Sequence, residues 1–142
     1  MSDWIIRCFH NSKRSGAHLQ RTKMKHFKMS EFKCDCGCGK VDMKDELLKK
    51  LDELRDLLGE PVTIKSGYRC LKANIECGGK TDSAHLDGYA VDIVIPNSRY
   101  RHDILSVIFK HNIFNRIGIN RSTIHVDCDP LLPPRVIWHY YS

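Results

Sequence analysis

The clearest hydrophobic pattern lies between residues 42 and 58. Met43, Leu47, Leu48, Leu51, Leu54, Leu57 and Leu58 recur on one helical face, with Lys, Asp, Glu and Arg on the other. Asp42 is the expected N-cap, and Asp45 and Glu46 fall in the first turn, where the helix dipole favours acids. Gly59 ends the helix and Pro61 prevents its resumption. Val62-Thr-Ile-Lys65 reads as a short strand ending in Ser66-Gly67. Residues 71–84, with Gly78-Gly79 and many polar side chains, read as loop with room for a helical turn. Ala90-Val-Asp-Ile-Val-Ile95 is a β-branched strand closed by Pro96-Asn97. A second amphipathic helix runs over 99–111 through Ile104, Leu105, Ile108 and Phe109, capped by Asn112. Residues 116–120 and 123–127 are two short apolar runs separated by two polar residues, the pattern of a hairpin. Pro130, Pro133 and Pro134 break the chain before a last apolar piece, Val136–Tyr140. The predicted class is α+β, a small, mostly antiparallel sheet flanked by helices.

Length and charge refine this picture. The 142 residues are the length of one domain, and the 42% hydrophobic, 28% charged composition is that of a globular chain. No run of about 18 apolar residues exists, so no membrane insertion is expected. The net charge of +6 first suggests an anionic partner. Its distribution removes most of that suggestion. Residues 1–28 hold seven Lys/Arg and one acid, whereas the rest holds sixteen of each sign. The charge therefore belongs to residues 1–28, most of it to a basic leader over residues 1–23, expected to be disordered, ahead of a domain over 24–142 that is neutral from residue 29 on. The leader lacks the aromatic interleaving of a nucleic-acid arm, and no nucleic-acid partner is expected. It also lacks the basic start, apolar stretch and small-residue cleavage site of a secretory signal.

Seven cysteines are many for this length. Cys34-Asp-Cys-Gly-Cys38 invites a metal reading, but its spacing is not the usual Cys-x-x-Cys of zinc knuckles. With an odd count and no export signal, free thiols are the expectation.

One residue is out of place. Asp92 sits at the centre of a β-branched strand, and an unpaired carboxylate buried there costs several kcal/mol unless a cation, a metal or hydrogen bonds compensate it. His85 precedes it by seven residues, in a loop ending at Gly88 that lets the chain turn back to the strand. His125 sits mid-strand, on the face of Thr123 and Asp127. Two histidines and one carboxylate make a three-ligand zinc set with a fourth position for water. The residues alone leave open the plainer reading, a half-exposed edge-strand Asp and two ordinary strand and loop histidines. His10, His18, His26, His102, His111 and His139 take that plainer reading.

The local words favour the metal. Ser83-Ala-His-Leu-Asp-Gly-Tyr-Ala-Val-Asp92 has the form S-x-H-x-x-G-x-A-x-D. Ser66-Gly-Tyr-Arg69 precedes it, and Asn74 with Gly78-Gly79 forms N-x-x-x-G-G. Ile117-Gly-Ile is followed by Ile124-His-Val-Asp127 and by Trp138, and Phe27-Lys-Met-Ser-Glu-Phe-Lys-Cys34 stands ahead of them all as an entry segment. Together these stretches, spanning residues 24–138, resemble the M15 peptidases, the zinc D-alanyl-D-alanine carboxypeptidase and hedgehog-like superfamily, in its peptidoglycan-cleaving branch. The resemblance implies that fold, one Zn2+ per chain held by His85, Asp92 and His125, and a substrate-binding and catalytic Arg69. It further implies that Ser83 orients the ligand loop or the substrate and that Trp138 lines the cleft. The implied activity is hydrolysis of peptide bonds involving D-amino acids in peptidoglycan stem peptides, by a monomer.

The sequence departs from the superfamily at the general base. Where some members carry an acid three residues before the last ligand, this chain has Ser122, and Thr123 replaces the first histidine of a His-x-His ending. Asp127, two residues after His125, is the expected base or the orienting partner of that histidine, with Asp87 in reserve. Without a confirmed base, the alternative is a zinc-holding, catalytically inactive wall- or protein-binding module. A wall substrate and no export signal together imply an enzyme made in the cytoplasm and released, as in phage-type lysis, or an upstream leader missed by a wrong start codon.

Overall fold

In the computed structural model, which describes residues 23–140, the leucine-rich pattern forms helix α1, Asp45–Leu58. The basic leader over 1–23 lies, except for Lys23, outside the described residues. Leu47, Leu48, Leu51 and Leu54 are buried, each worth about 1.5–3 kcal/mol relative to exposure. The helix ends at Gly59 in the left-handed conformation, as the pattern predicts.

Its start is a correction. The N-cap is Lys44 rather than Asp42. Residues 42–44 are instead docked on the turn after His85: the Lys44 amide donates to the Gly88 carbonyl at 3.0 Å. Gly88 has φ 74°, and a Cβ there would lie 1.9 Å from the Asp42 carbonyl oxygen. Only glycine permits that approach, so Asp42 is committed to the turn and the helix begins beyond it.

The segment read as loop contains helix α2, Leu71–Glu76, and a 3-10 turn, Ala84–Asp87, that carries His85. Helix α3 spans Ser98–His111; the Asn97 side chain accepts from the Tyr100 amide at its start, and Asn112 closes it with φ 51°. Its buried Ile104 and Ile108 join the α1 leucines in one core.

Five strands, β1 (Ile64–Ser66), β2 (Ala90–Val94), β3 (Arg116–Ile119), β4 (Thr123–Asp127) and β5 (Val136–His139), form one sheet in the order β1-β2-β4-β3-β5. The hairpin of β3 and β4 is antiparallel, as predicted, and β2 pairs antiparallel to β4. The sheet as a whole is mixed rather than mostly antiparallel, because β5 runs parallel to β3. Both edges of β4 are already taken, by β2 and β3. The chain reverses through the proline-rich connection and pairs on the outer edge of β3, where the reversed direction is parallel.

Strand alternation sorts the two faces of the sheet. Val91 and Ile93, Ile124 and Val126, and Ile117 are fully buried in the core shared with α1 and α3. The opposite face carries Asp92, His125, Gly118 and Trp138. Among the described residues no helix is long and apolar enough to cross a membrane.

Candidate metal centre

Sheet register builds the site. Asp92 lies opposite His125, His125 opposite Gly118, and Gly118 opposite Trp138, so four residues from four strands make one row across the sheet. Gly118 is required by the row: a Cβ there would come within 2.7 Å of the Trp138 indole. Its absence lets that ring lean onto His125, with ring centroids 5.3 Å apart.

His85 reaches the row from the 3-10 turn, for which Ser83 is the N-cap; the Ser83 Oγ accepts from the His85 amide at 3.4 Å. His85 Nε2 lies 3.2 Å from His125 Nδ1 and 3.4 Å from Asp92 Oδ1, and His125 Nδ1 lies 3.1 Å from the same oxygen. Three atoms of three residues thus face one another across a space the size of an ion. With metal–ligand bonds of about 2.0–2.1 Å, the corners of a tetrahedral site stand about 3.3–3.4 Å apart.

The outer nitrogens fix which atoms face inward. His85 Nδ1 lies 2.8 Å from the Gly67 carbonyl oxygen, and His125 Nε2 lies 2.7 Å from Asp127 Oδ2. Both partners accept and cannot donate, so both outer nitrogens carry a proton, and in the neutral rings both inner ones present a lone pair. Two lone pairs and a carboxylate oxygen in van der Waals contact repel one another unless a cation or proton lies between them. The histidines are almost wholly enclosed, at 2% and 8% exposure, so water does not relieve the repulsion. The residues therefore fit a divalent ion, to which they offer three ligand atoms.

Titration follows the same logic. Burial pushes the Asp92 carboxyl up, but hydrogen bonds from His125 and His85 outweigh it and hold the group well below the ordinary carboxylate range. Burial pushes His125 down, but Asp127 and Asp92 outweigh it, and its pKa lies above the usual 6.5.

Asp127 is 1% exposed, and its Oδ1 accepts from Arg116 Nε at 2.7 Å. Its other oxygen holds His125 from the side of the ring away from the three inward atoms. Asp87 lies in the 3-10 turn and is not one of the three converging residues. Arg69 Nη2 lies 3.6 Å from Asp92 Oδ2, the oxygen not turned to the histidines, and Arg69 Nη1 donates to Asn74 Oδ1 at 3.2 Å. Asn74 is buried and donates in turn to the Lys80 carbonyl. A Cβ on Gly79 would strike the Asn74 side chain at 2.1 Å, which accounts for the glycine in N-x-x-x-G-G. Ser83 and Trp138 are half-buried at the margin of the centre.

Sequence reasoning missed two supports. Arg116 is the cross-strand partner of Asp127, and the predicted hairpin already placed the two opposite each other. The Gly67 carbonyl carried no signal, because any residue supplies one. Among the other histidines, His26 and His102 are exposed beside Asp56 and Asp103, away from the centre. Cys34, Cys36, Cys38 and Cys70 converge, which their spacing did not predict.

Fold and site define a class: an α+β domain with an enclosed, two-histidine, one-carboxylate centre. A family model described as peptidase M15 matches residues 25–129. The chain belongs to the peptidase M15 family, whose members are metal-dependent peptidases, and its candidate ligands are His85, Asp92 and His125. No curated protein matches the chain.

Proposed function

We propose that the protein is a zinc-dependent metallopeptidase that hydrolyses peptide bonds involving D-amino acids in bacterial peptidoglycan. The observation that carries the metal half of this reading is the inward convergence of His85 Nε2, Asp92 Oδ1 and His125 Nδ1 with both outer nitrogens tied down. The substrate half rests on the ordered motifs from Ser66 to Trp138, which resemble the peptidoglycan-cleaving branch.

His85, Asp92 and His125 would hold the zinc ion, which would supply an acidified water and a Lewis acid for the scissile carbonyl. The chain's own groups do the rest. Gly67 and Asp127 hold the two imidazoles in the tautomer that ligation needs. Asp127, turned away from the inward atoms and neutralised by Arg116, acts as a positioning residue for His125 rather than as the base. Arg69, held by Asn74 and Asp92, keeps further N–H donors for the substrate's carboxylate or carbonyl oxygen. Trp138 packs on His125 and walls the cleft.

The orientation of Asp127 also favours a second reading, a zinc-holding wall-binding module without hydrolysis. Purified peptidoglycan incubated with zinc-loaded wild type and with His125→Ala separates them. New amino termini released only by wild type support the peptidase. Sedimentation with the wall and no release by either protein supports the binding module.

A further inference from the structure

A second cluster of ligand-type side chains lies outside the centre just described. Cys34, Cys36 and Cys38 come from the loop before α1, and Cys70 from the start of α2, thirty-odd residues later. Their four sulfur atoms all lie within 4.8 Å of one another. Cys34 Sγ and Cys36 Sγ are 3.5 Å apart, and Cys36 Sγ and Cys70 Sγ 3.6 Å.

Those separations discriminate between chemistries. A disulfide requires about 2.05 Å and joins sulfurs two by two. A tetrahedral zinc tetrathiolate, with Zn–S bonds of about 2.3 Å, places every pair of sulfurs about 3.8 Å apart. The cluster is nearer the second geometry: one sulfur, that of Cys36, stands near both Cys34 and Cys70 at almost the tetrahedral edge, and no two of the four are more than 4.8 Å apart. The backbone supports the charge that four thiolates carry. The Cys70 amide donates to Cys34 Sγ at 3.4 Å and the Ala73 amide to Cys70 Sγ at 3.5 Å.

The loop is shaped to bring three cysteines to one point. Gly37 and Gly39 take left-handed φ values of 81° and 71°, and the Cys34 amide donates to the Lys40 carbonyl at 3.0 Å, closing the loop on itself. The spacing Cys-x-Cys-x-Cys, unsuited to a zinc knuckle made of one segment, becomes suitable once the fourth ligand arrives from elsewhere in the fold.

We propose that Cys34, Cys36, Cys38 and Cys70 bind a second zinc ion in a closed, four-thiolate structural site. The ion ties the loop of residues 34–40 to the segment Tyr68-Arg69-Cys70. It is chemically distinct from the His/Asp centre: all four positions are filled by protein, so no water is held for catalysis. Softness supports the assignment, since thiolates prefer zinc over the hard cations that carboxylates and water select.

Metal content of full-length protein, purified with zinc present and freed of loose metal, tests this independently of the proposed activity. Wild type is expected to hold two zinc ions per chain, Cys36→Ser/Cys38→Ser one, and His125→Ala one. Because the cysteine variant could fail to fold, wild type is also loaded with cobalt. Intense thiolate-to-cobalt charge-transfer absorption in the near ultraviolet is expected, and it persists in His125→Ala. A third readout uses exposure: Cys36 and Cys38 are open to solvent, yet their alkylation should be slow with metal bound and fast after chelation. One zinc in wild type that disappears with His125→Ala, together with no charge-transfer band, overturns the proposal and leaves the His/Asp centre intact. Full zinc retained by Cys36→Ser/Cys38→Ser, or alkylation that ignores chelation, overturns it as well.

Discussion

The His/Asp centre and the cysteine cluster are built in opposite ways. The first stands mainly on regular sheet: Asp92 and His125 are opposed by strand register, and only His85 comes from a turn. Its ligand atoms are held from behind by a carbonyl and by the Asp127–Arg116 pair, and it offers three of them. The second stands on a glycine-hinged loop and one residue beyond Arg69, has two exposed members, and fills all its positions with sulfur. Rigid support behind an incomplete ligand set suits chemistry; a complete set on a pliable loop suits fastening.

Substitutions can break this contrast, and the largest effect falls on the His/Asp centre. His125→Ala removes a ligand and leaves Asp92 and Asp127 without their common partner; peptide hydrolysis should drop to background while the far-ultraviolet circular dichroism spectrum is kept. Hydrolysis near the wild-type rate would show that the reaction does not use this centre. Arg69→Ala should lower kcat by roughly 10²–10³ with zinc content unchanged, the scale of losing one preorganised donor to a developing oxyanion. A loss confined to KM would instead assign Arg69 to ground-state binding. Asp127→Asn should weaken zinc affinity roughly 10–100-fold, measured by competition with a chromophoric chelator, because the amide can offer His125 Nε2 the wrong group. If Asp127 were the base, the rate would collapse with the affinity unchanged.

The smallest effect is the dependence on pH. In the metal-free protein His125 has a pKa raised above 6.5, so its contribution to stability is fully present below 6.5 and is lost as pH rises through the raised value. Asp92 is depressed below 3.8, so its contribution is present above 3.8 and is lost as pH falls through the depressed value. Metal-free protein is therefore best supported by these groups between 3.8 and 6.5. Zinc must displace the proton on His125, so the rise in Tm on adding zinc to Cys36→Ser/Cys38→Ser should grow from pH 6 to pH 8. A rise independent of pH would mean that the ion does not compete with that proton.

The same contrast explains what could be read from the sequence. A carboxylate inside Ala90–Ile95 and a histidine inside the hairpin are visible because strand period fixes their face, and the hairpin fixes their neighbours. The helices over 45–58 and 98–111 were visible for the same reason, in the period of 3.6. The parallel β5 was not, since its direction depends on which edges were free after β4 had paired twice. Nor was the displaced start of α1, which depends on Gly88 meeting Asp42 across the fold. The cysteine cluster was hidden most fully. Cys70 looks unrelated to Cys34–Cys38 along the chain, and loop geometry, which has no period, brings them together.

Anomalous diffraction at the zinc edge from crystals of zinc-loaded protein locates the ion. A peak enclosed by His85 Nε2, Asp92 Oδ1 and His125 Nδ1 is expected. Zinc-replete crystals with no peak at that position would contradict an ion between these residues.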